Sequence, residues 1–186
     1  MKTLNLYAVE QGDHLIQPGE IRDLDLSSPA RELLNDFRQN PPTMIDANTR
    51  AAELLDMMHH DHTRLKLVVD EQEELIGIIH LEQLNGQAFV RRVANGDHRN
   101  DITVSDLMCP RDKLRALDYQ QLQDCSIADV IHALQSSGEQ HCLVIERESH
   151  QIRGVLCARD IAQRLGMRFD IHTPPTFLNL FGSLPA

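Results

Sequence analysis

The chain has 186 residues, 41% of them apolar and 25% charged, and a formal net charge of −10. This balance suits one compact domain, or two small subdomains sharing a core, and excludes a disordered chain. The charge also argues against diffuse binding to nucleic acid or anionic lipid, which needs clustered Lys and Arg, whereas a phosphate-bearing small ligand needs only a few local donors.

Residues 1–17 lack a basic segment followed by a continuous apolar stretch, and no window approaches the ~20 apolar residues that span a bilayer. A cytoplasmic protein is the expectation. Cys109, Cys125, Cys142 and Cys157 are widely spaced with no C-x-x-C pair, so free thiols are expected.

In chain order, residues 1–40 hold an apolar piece, Leu4 to Val9, and a predicted helix, Ser28 to Phe37, opened by Ser-Pro. They form an extension expected to pack on the adjoining residues 41–100. An extended piece, Thr43 to Asp46, precedes a predicted helix from Thr49 to Met58, with Thr49 as N-cap and Ala51, Leu54, Leu55 and Met58 on one face. Two apolar, β-branched runs, Leu65 to Asp70 and Leu75 to Ile79, flank the charged turn Glu71 to Glu74 and read as a hairpin. A shorter helix opens at Leu81.

The same order then recurs. An extended piece, Leu114 to Asp118, precedes a helix from Ser126 to Leu134, strands Cys142 to Glu146 and Ile152 to Leu156, and a helix from Ala158 to Leu165. Thr49 matches Ser126, Val69 matches Ile145 and Gly77 matches Gly154, at a spacing of 76 or 77 residues. The strands are too continuously apolar for a sheet wet on one face, and half the chain buries too little surface alone. The expected fold is therefore α/β (α+β), with two βαββα halves packed about a pseudo-two-fold axis.

These halves resemble the CBS domain. Its marks here are Leu67-Val68-Val69-Asp70 followed by Leu75-Ile76-Gly77-Ile78-Ile79, and their second occurrence at Val144-Ile145-Glu146 and Ile152-Arg153-Gly154-Val155-Leu156. The linker Val104-Ser105-Asp106-Leu107-Met108-Cys109-Pro110 is similar to the lead-in of many such repeats. The resemblance covers about Pro41 to Gly166. It implies an N-terminal extension over 1–40, repeats over 41–100 and 101–168, a tail over 169–186, a cleft between the repeats and a homodimer.

In members of this family that bind nucleotides, the glycine strand runs into Ser/Thr-x-x-Asp at a helix start, where the carboxylate takes the ribose hydroxyls and the amides face phosphate. Helix N-termini suit that task because their N–H groups are unpaired. The second repeat reads Cys157-Ala158-Arg159-Asp160: Asp160 is kept for the ribose, Cys157 replaces the hydroxyl, the amide side of Ala158 faces phosphate and Arg159 reaches it. By the same resemblance His141 points at phosphate, with Arg64 in that role in the first repeat, and Ala116 lines the adenine pocket. The first repeat has His80 and Gln83 at the signature positions, so its site is expected to be degraded.

The resemblance implies a non-catalytic regulatory sensor of AMP, ADP, ATP or S-adenosylmethionine, with no required cofactor and with another protein as its target. The alternative is an interaction scaffold with an emptied site, working through its dimer face and a tail carrying Phe177, Phe181 and Leu184 at helical spacing. Bland readings stand beside these. Asp160 in a first helical turn is favoured by the helix dipole alone, Cys157 without a base is an inert packed thiol, and Arg159 alone is a solvated cation. His59-His60-Asp61-His62 holds zinc-type donors but reads better as a solvated helix end. The tail reads better as packed on its own core.

Overall fold

The computed structural model describes residues 24–136, 138–167 and 176–184. The apolar piece Leu4 to Val9 lies outside them. A 3₁₀ turn, Ala30–Leu33, leads to β1 (Asn35–Asp36). The first half continues as β2 (Met44–Asp46), α1 (Ala51–His60), β3 (Leu65–Val69), β4 (Leu75–His80), a 3₁₀ turn at Leu81–Gln83 and α2 (Gln87–Ala94). A linker with α3 (Val104–Leu107) and β5 (Cys109–Pro110) leads to the second half. This comprises β6 (Ala116–Asp118), α4 (Tyr119–Asp124), α5 (Ile127–Leu134), β7 (His141–Glu146), β8 (Gln151–Cys157) and α6 (Ala158–Arg164), with α7 (Phe177–Phe181) after it.

Helix formation follows the apolar spacing. Helix α1 buries Ala51, Leu54 and Met58, and α5 buries Ile127, Val130, Ile131 and Leu134, one stripe each. Ser126 caps α5 reciprocally with Asp129: the Ser126 N–H donates to the carboxylate at 2.8 Å and the Asp129 N–H to the Ser126 hydroxyl at 3.3 Å. The expected cap at Thr49 is not used. Arg50 holds the N-cap place and is the counterpart of Ser126. Thr49 instead turns the chain, its N–H donating to the Asp46 carbonyl, and the first amide of α1 is satisfied from the linker, Ala51 N–H to the Ile102 carbonyl at 2.9 Å.

The described strands form two sheets of four, ordered β2-β3-β4-β5 and β6-β7-β8-β1. In both, the first pair is parallel and the hairpin antiparallel. Alternation divides the side chains. Val68 and Ile79 face one helical layer, and Val144 and Leu156 face the other. Leu67, Leu75 and Ile78 meet Leu143 and Val155 in a third core between the sheets. The two halves are therefore joined face to face by apolar surface, as the small size of each requires.

The edge strands are exchanged. β1 precedes the first half yet pairs with β8 of the second, Asp36 opposite Gly154; β5 precedes the second half yet pairs with β4 of the first, Pro110 opposite Gly77. The segments before them behave alike. Ala30 N–H donates to the Cys125 carbonyl as Val104 N–H does to Thr49, and Ile127 N–H donates to Ser28 as Ala51 N–H does to Ile102. The described part of the N-terminal extension thus packs on the second half, not on the first as expected: Ala30 and Leu33 lie in a core with Leu122 and Ile127. The duplication begins well before residue 41, and its lead-in piece crosses to the other copy.

This crossing explains the paired glycines. A Cβ on Gly77 would lie 2.6 Å from the Cys109 carbonyl oxygen and 2.7 Å from Met108 Sδ, and one on Gly154 would collide with the Asn35 carbonyl oxygen and meet Leu34 Cδ1 at 2.7 Å. An ion pair then fixes the exchanged strand: Arg153 donates to both carboxylate oxygens of Asp36, each at 2.8 Å, with its guanidinium 4.5 Å from the centre of the Tyr119 ring.

The tail is part of the second core. Phe177 and Phe181 are fully buried, and the Phe177 N–H donates to the Glu139 carbonyl at 2.8 Å. Among the described residues no helix is long and apolar enough to cross a membrane.

Candidate functional site

A cleft of about 420 Å³ opens between the halves, within the range of small-molecule sites. Its second-half wall is the end of β8 and the start of α6, with Cys157, Arg159 and Asp160, and the neighbouring start of β7 with His141. Its first-half wall is the turn entering β3 and the turn leaving β4, with Thr63, Arg64 and Glu82. Residues 37–43 run from β1 on one sheet to β2 on the other, and Phe37 and Thr43 border the cleft on the way.

Asp160, Arg159, Cys157 and His141, all singled out in the sequence, thus share one cleft, and Arg64 joins them from the other half. Ala158 does not line it: its side chain is fully buried beneath α6. Ala116 does not line it either. It is exposed on the edge strand β6, opposite Leu143, in the place that Met44 holds opposite Leu67. Because the lead-in strands are exchanged, the crossing over the Asp160 cleft is residues 37–43, and Ala116 comes after the equivalent crossing of the other half.

The cleft is mixed: Phe37, Pro42, Leu65 and Val155 give it apolar surface beside its ionisable groups. Solvent reaches Asp160 inside it, yet the surrounding walls raise its pKa above the ordinary carboxylate value, with Cys157, Arg164 and Arg159 opposing that rise. Burial pushes the Cys157 thiol up to about 11, so it is no nucleophile at neutral pH. Burial, with His80 adding to it, holds His141 well below the ordinary histidine value. His141 is therefore a neutral imidazole and not the cation that a phosphate partner would call for. Its buried Nδ1 and the buried Thr63 Oγ1 both lack a hydrogen-bond partner, and both residues line the cleft. Unpaired buried polar atoms of this kind are uncommon.

The equivalent position in the first half is committed elsewhere. Gln83, the counterpart of Asp160, accepts from the His80 N–H at 2.8 Å through Oε1 and donates to the Leu107 carbonyl at 3.1 Å through Nε2. Glu82, the counterpart of Arg159, accepts a hydrogen bond from Arg64 Nη1 at 3.1 Å. Glu82, Thr63, Thr43 and Phe37 were not singled out in the sequence. Only Glu82 left a signal, a charge opposite to that of its repeat counterpart.

Two α/β halves that exchange their lead-in strands and face each other across a ligand-sized cleft define a paired-repeat module. The CBS domain family model matches residues 31–85, from the exchanged lead-in to the turn after β4, so this segment carries a CBS domain. A conserved protein of Pyrococcus horikoshii has the same fold, with a TM-score of 0.56 and 16% identity over 79% of this chain and 98% of that one. A conserved CBS domain protein of Thermoplasma acidophilum gives 0.54 and 14% over 81% and 78%. CBSX2, solved in complex with AMP, gives 0.51 and 15% over 73% and 94%. At these identities the likeness is one of fold. No curated protein matches the sequence.

Proposed function

We propose that the chain is a non-catalytic regulatory module that takes an adenosine nucleotide in the cleft beside Asp160 and passes on its occupancy by altering the packing of its two halves or its association with a second copy or a target protein. The observation that carries this reading is the meeting of Asp160 and Arg159 from one half with Thr63 and Arg64 from the other in a single cleft. A ligand there touches both halves, so it favours whichever arrangement it fits better. CBSX2, a protein of the same fold, holds AMP. The Cys157 thiol, pushed up to about 11 by burial, is a poor nucleophile at neutral pH.

Melting the full chain with AMP, ADP, ATP and S-adenosylmethionine in turn tests this. At about a hundred times its dissociation constant a ligand stabilises the folded state by roughly 2.7 kcal/mol, a rise of about 5–10 °C for a chain of this size. No rise with any of the four at millimolar concentration rejects the reading and leaves the scaffold alternative, which the committed Gln83 side chain favours.

A further inference from the structure

Resting on the nucleotide reading above, we propose that Glu82 sets the charge the cleft accepts, holding Arg64 so that an adenosine ligand with one phosphate is bound in preference to one with three. Bordering the cleft among the described residues are two carboxyl groups, Glu82 and Asp160, and two guanidiniums, Arg64 and Arg159, beside the exposed imidazole of His62 and the neutral one of His141. These four charges balance, which leaves little to offset a highly anionic ligand. One phosphate brings a charge of about −1.5 to −2, and a triphosphate tail brings more.

The two halves treat this position in opposite ways. After β8 the chain presents Arg159, and after β4, at the equivalent place, it presents Glu82. The exchange of a cation for an anion has two effects on the same ligand. Glu82 occupies Arg64 through the 3.1 Å contact, and its carboxylate lines the same cleft as Asp160 and Arg159, so a longer phosphate chain there meets more like charge. The side chains of Arg64 and Glu82 are 54% and 40% exposed, so the pair adds little to stability, but while it forms it offsets the charge that Arg64 would offer a phosphate. A single phosphate beside Arg159 avoids both.

Isothermal titration of the full chain with AMP and with ATP tests this, in the native sequence, in Glu82→Gln and in Glu82→Gln combined with Arg64→Ala. The native chain is expected to bind AMP more tightly than ATP. Glu82→Gln should strengthen ATP binding on the order of tenfold and change AMP by less than about threefold, and adding Arg64→Ala should remove most of that gain. Both side chains are exposed, and an unchanged melting temperature without ligand shows that the variants are folded. A native preference for ATP, or an ATP-to-AMP affinity ratio unmoved by Glu82→Gln, overturns the role given to Glu82 while leaving the nucleotide site standing. No heat with either nucleotide in any of the three proteins removes the nucleotide site itself, and the selectivity with it.

Discussion

His80, at the end of β4, and His141, at the start of β7, stack across the junction of the two halves with ring centres 4.4 Å apart and planes 26° from parallel. His80 is buried, and the Nδ1 atoms of both rings are buried without a partner. Two imidazoles in that position are tolerable only while neutral. Burial accordingly lowers His80 to about 4, against the opposing pull of Glu82, and holds His141 well below its ordinary value.

Acid should therefore loosen the pair. A histidine whose pKa is lower in the folded state contributes stability that is fully present above the unfolded value of about 6.5, and this is lost as pH falls toward the folded value. For His80 the window runs from about 6.5 down to about 4, and at about 1.4 kcal/mol for each pH unit the loss is on the order of 3 kcal/mol. Urea unfolding at about pH 7.5 and about pH 4.5 should show this loss in the native chain and a clearly smaller one in His80→Phe, which keeps an aromatic ring and removes the proton site. Equal losses in the two proteins would place the acid sensitivity elsewhere.

Asp36 titrates below that window. The bidentate contact from Arg153 lowers its pKa from 3.8, so its contribution is present above 3.8 and is lost only as pH falls through the lower folded value. At neutral pH, Asp36→Ala should destabilise the chain by about 2 kcal/mol, because it removes two charge-assisted hydrogen bonds from a largely buried guanidinium. The remaining contact of Arg153 with Glu146, at 3.7 Å, moderates the loss. Hydrogen exchange should show the damage first at Phe37, whose N–H donates to the Arg153 carbonyl.

Gly154→Ala tests the strand exchange from the other side. The added methyl group meets the Asn35 carbonyl, which is backbone and cannot swing away, so β1 must shift or detach. A loss of about 1–3 kcal/mol is expected, and Gly77→Ala should behave alike against Cys109. A melting temperature unchanged in both would mean that the exchanged strands contribute little to the fold.

Phe181 separates a structural tail from a docking one. With Phe177 and Phe181 fully buried and their rings 6.2 Å apart, Phe181→Ala should cost about 3–4 kcal/mol and lower the urea midpoint of the whole chain. A tail working as a partner surface would leave the midpoint in place. Leu178, 49% exposed, is the control: Leu178→Ala should change stability by less than about 1 kcal/mol.

The halves were legible because helices and hairpins of five or more residues carry periodicity, and Leu54, Met58, Val68 and Ile79 repeat it in their second-half counterparts. The strand exchange was not. Strands β1 and β5 are two residues long, and the register of Asp36 with Gly154 depends on a contact between residues far apart in the chain. Ala116 was misplaced for that reason, since its position relative to the cleft depends on which sheet each crossing leaves. Thr49 looked the better cap than Arg50 by residue type, but the linker amides and carbonyls outweighed that preference. Gln83 and Asp160 differ by one functional group, and only the structure shows that the carboxamide is tied to His80 and Leu107.

Asp160 carries the last prediction. Its carboxylate stands in the first turn of α6, where the amide dipoles favour a negative charge, while the cleft walls raise its pKa. These influences oppose each other, so Asp160→Asn should leave the melting temperature of the free chain within about 2 °C of native. With nucleotide present the two proteins should diverge. An amide accepts hydrogen bonds from ribose hydroxyls more weakly than a carboxylate, and the loss of one charge-assisted contact, about 1.5–3 kcal/mol, weakens binding roughly ten- to a hundredfold. At about a hundred times the native dissociation constant the nucleotide-induced stabilisation should then fall from about 2.7 to roughly 0.4–1.4 kcal/mol, with the rise in melting temperature shrinking in proportion. A full rise retained in Asp160→Asn would mean that the nucleotide is held by other residues, and a large drop in the melting temperature of the free variant would mean that Asp160 is structural.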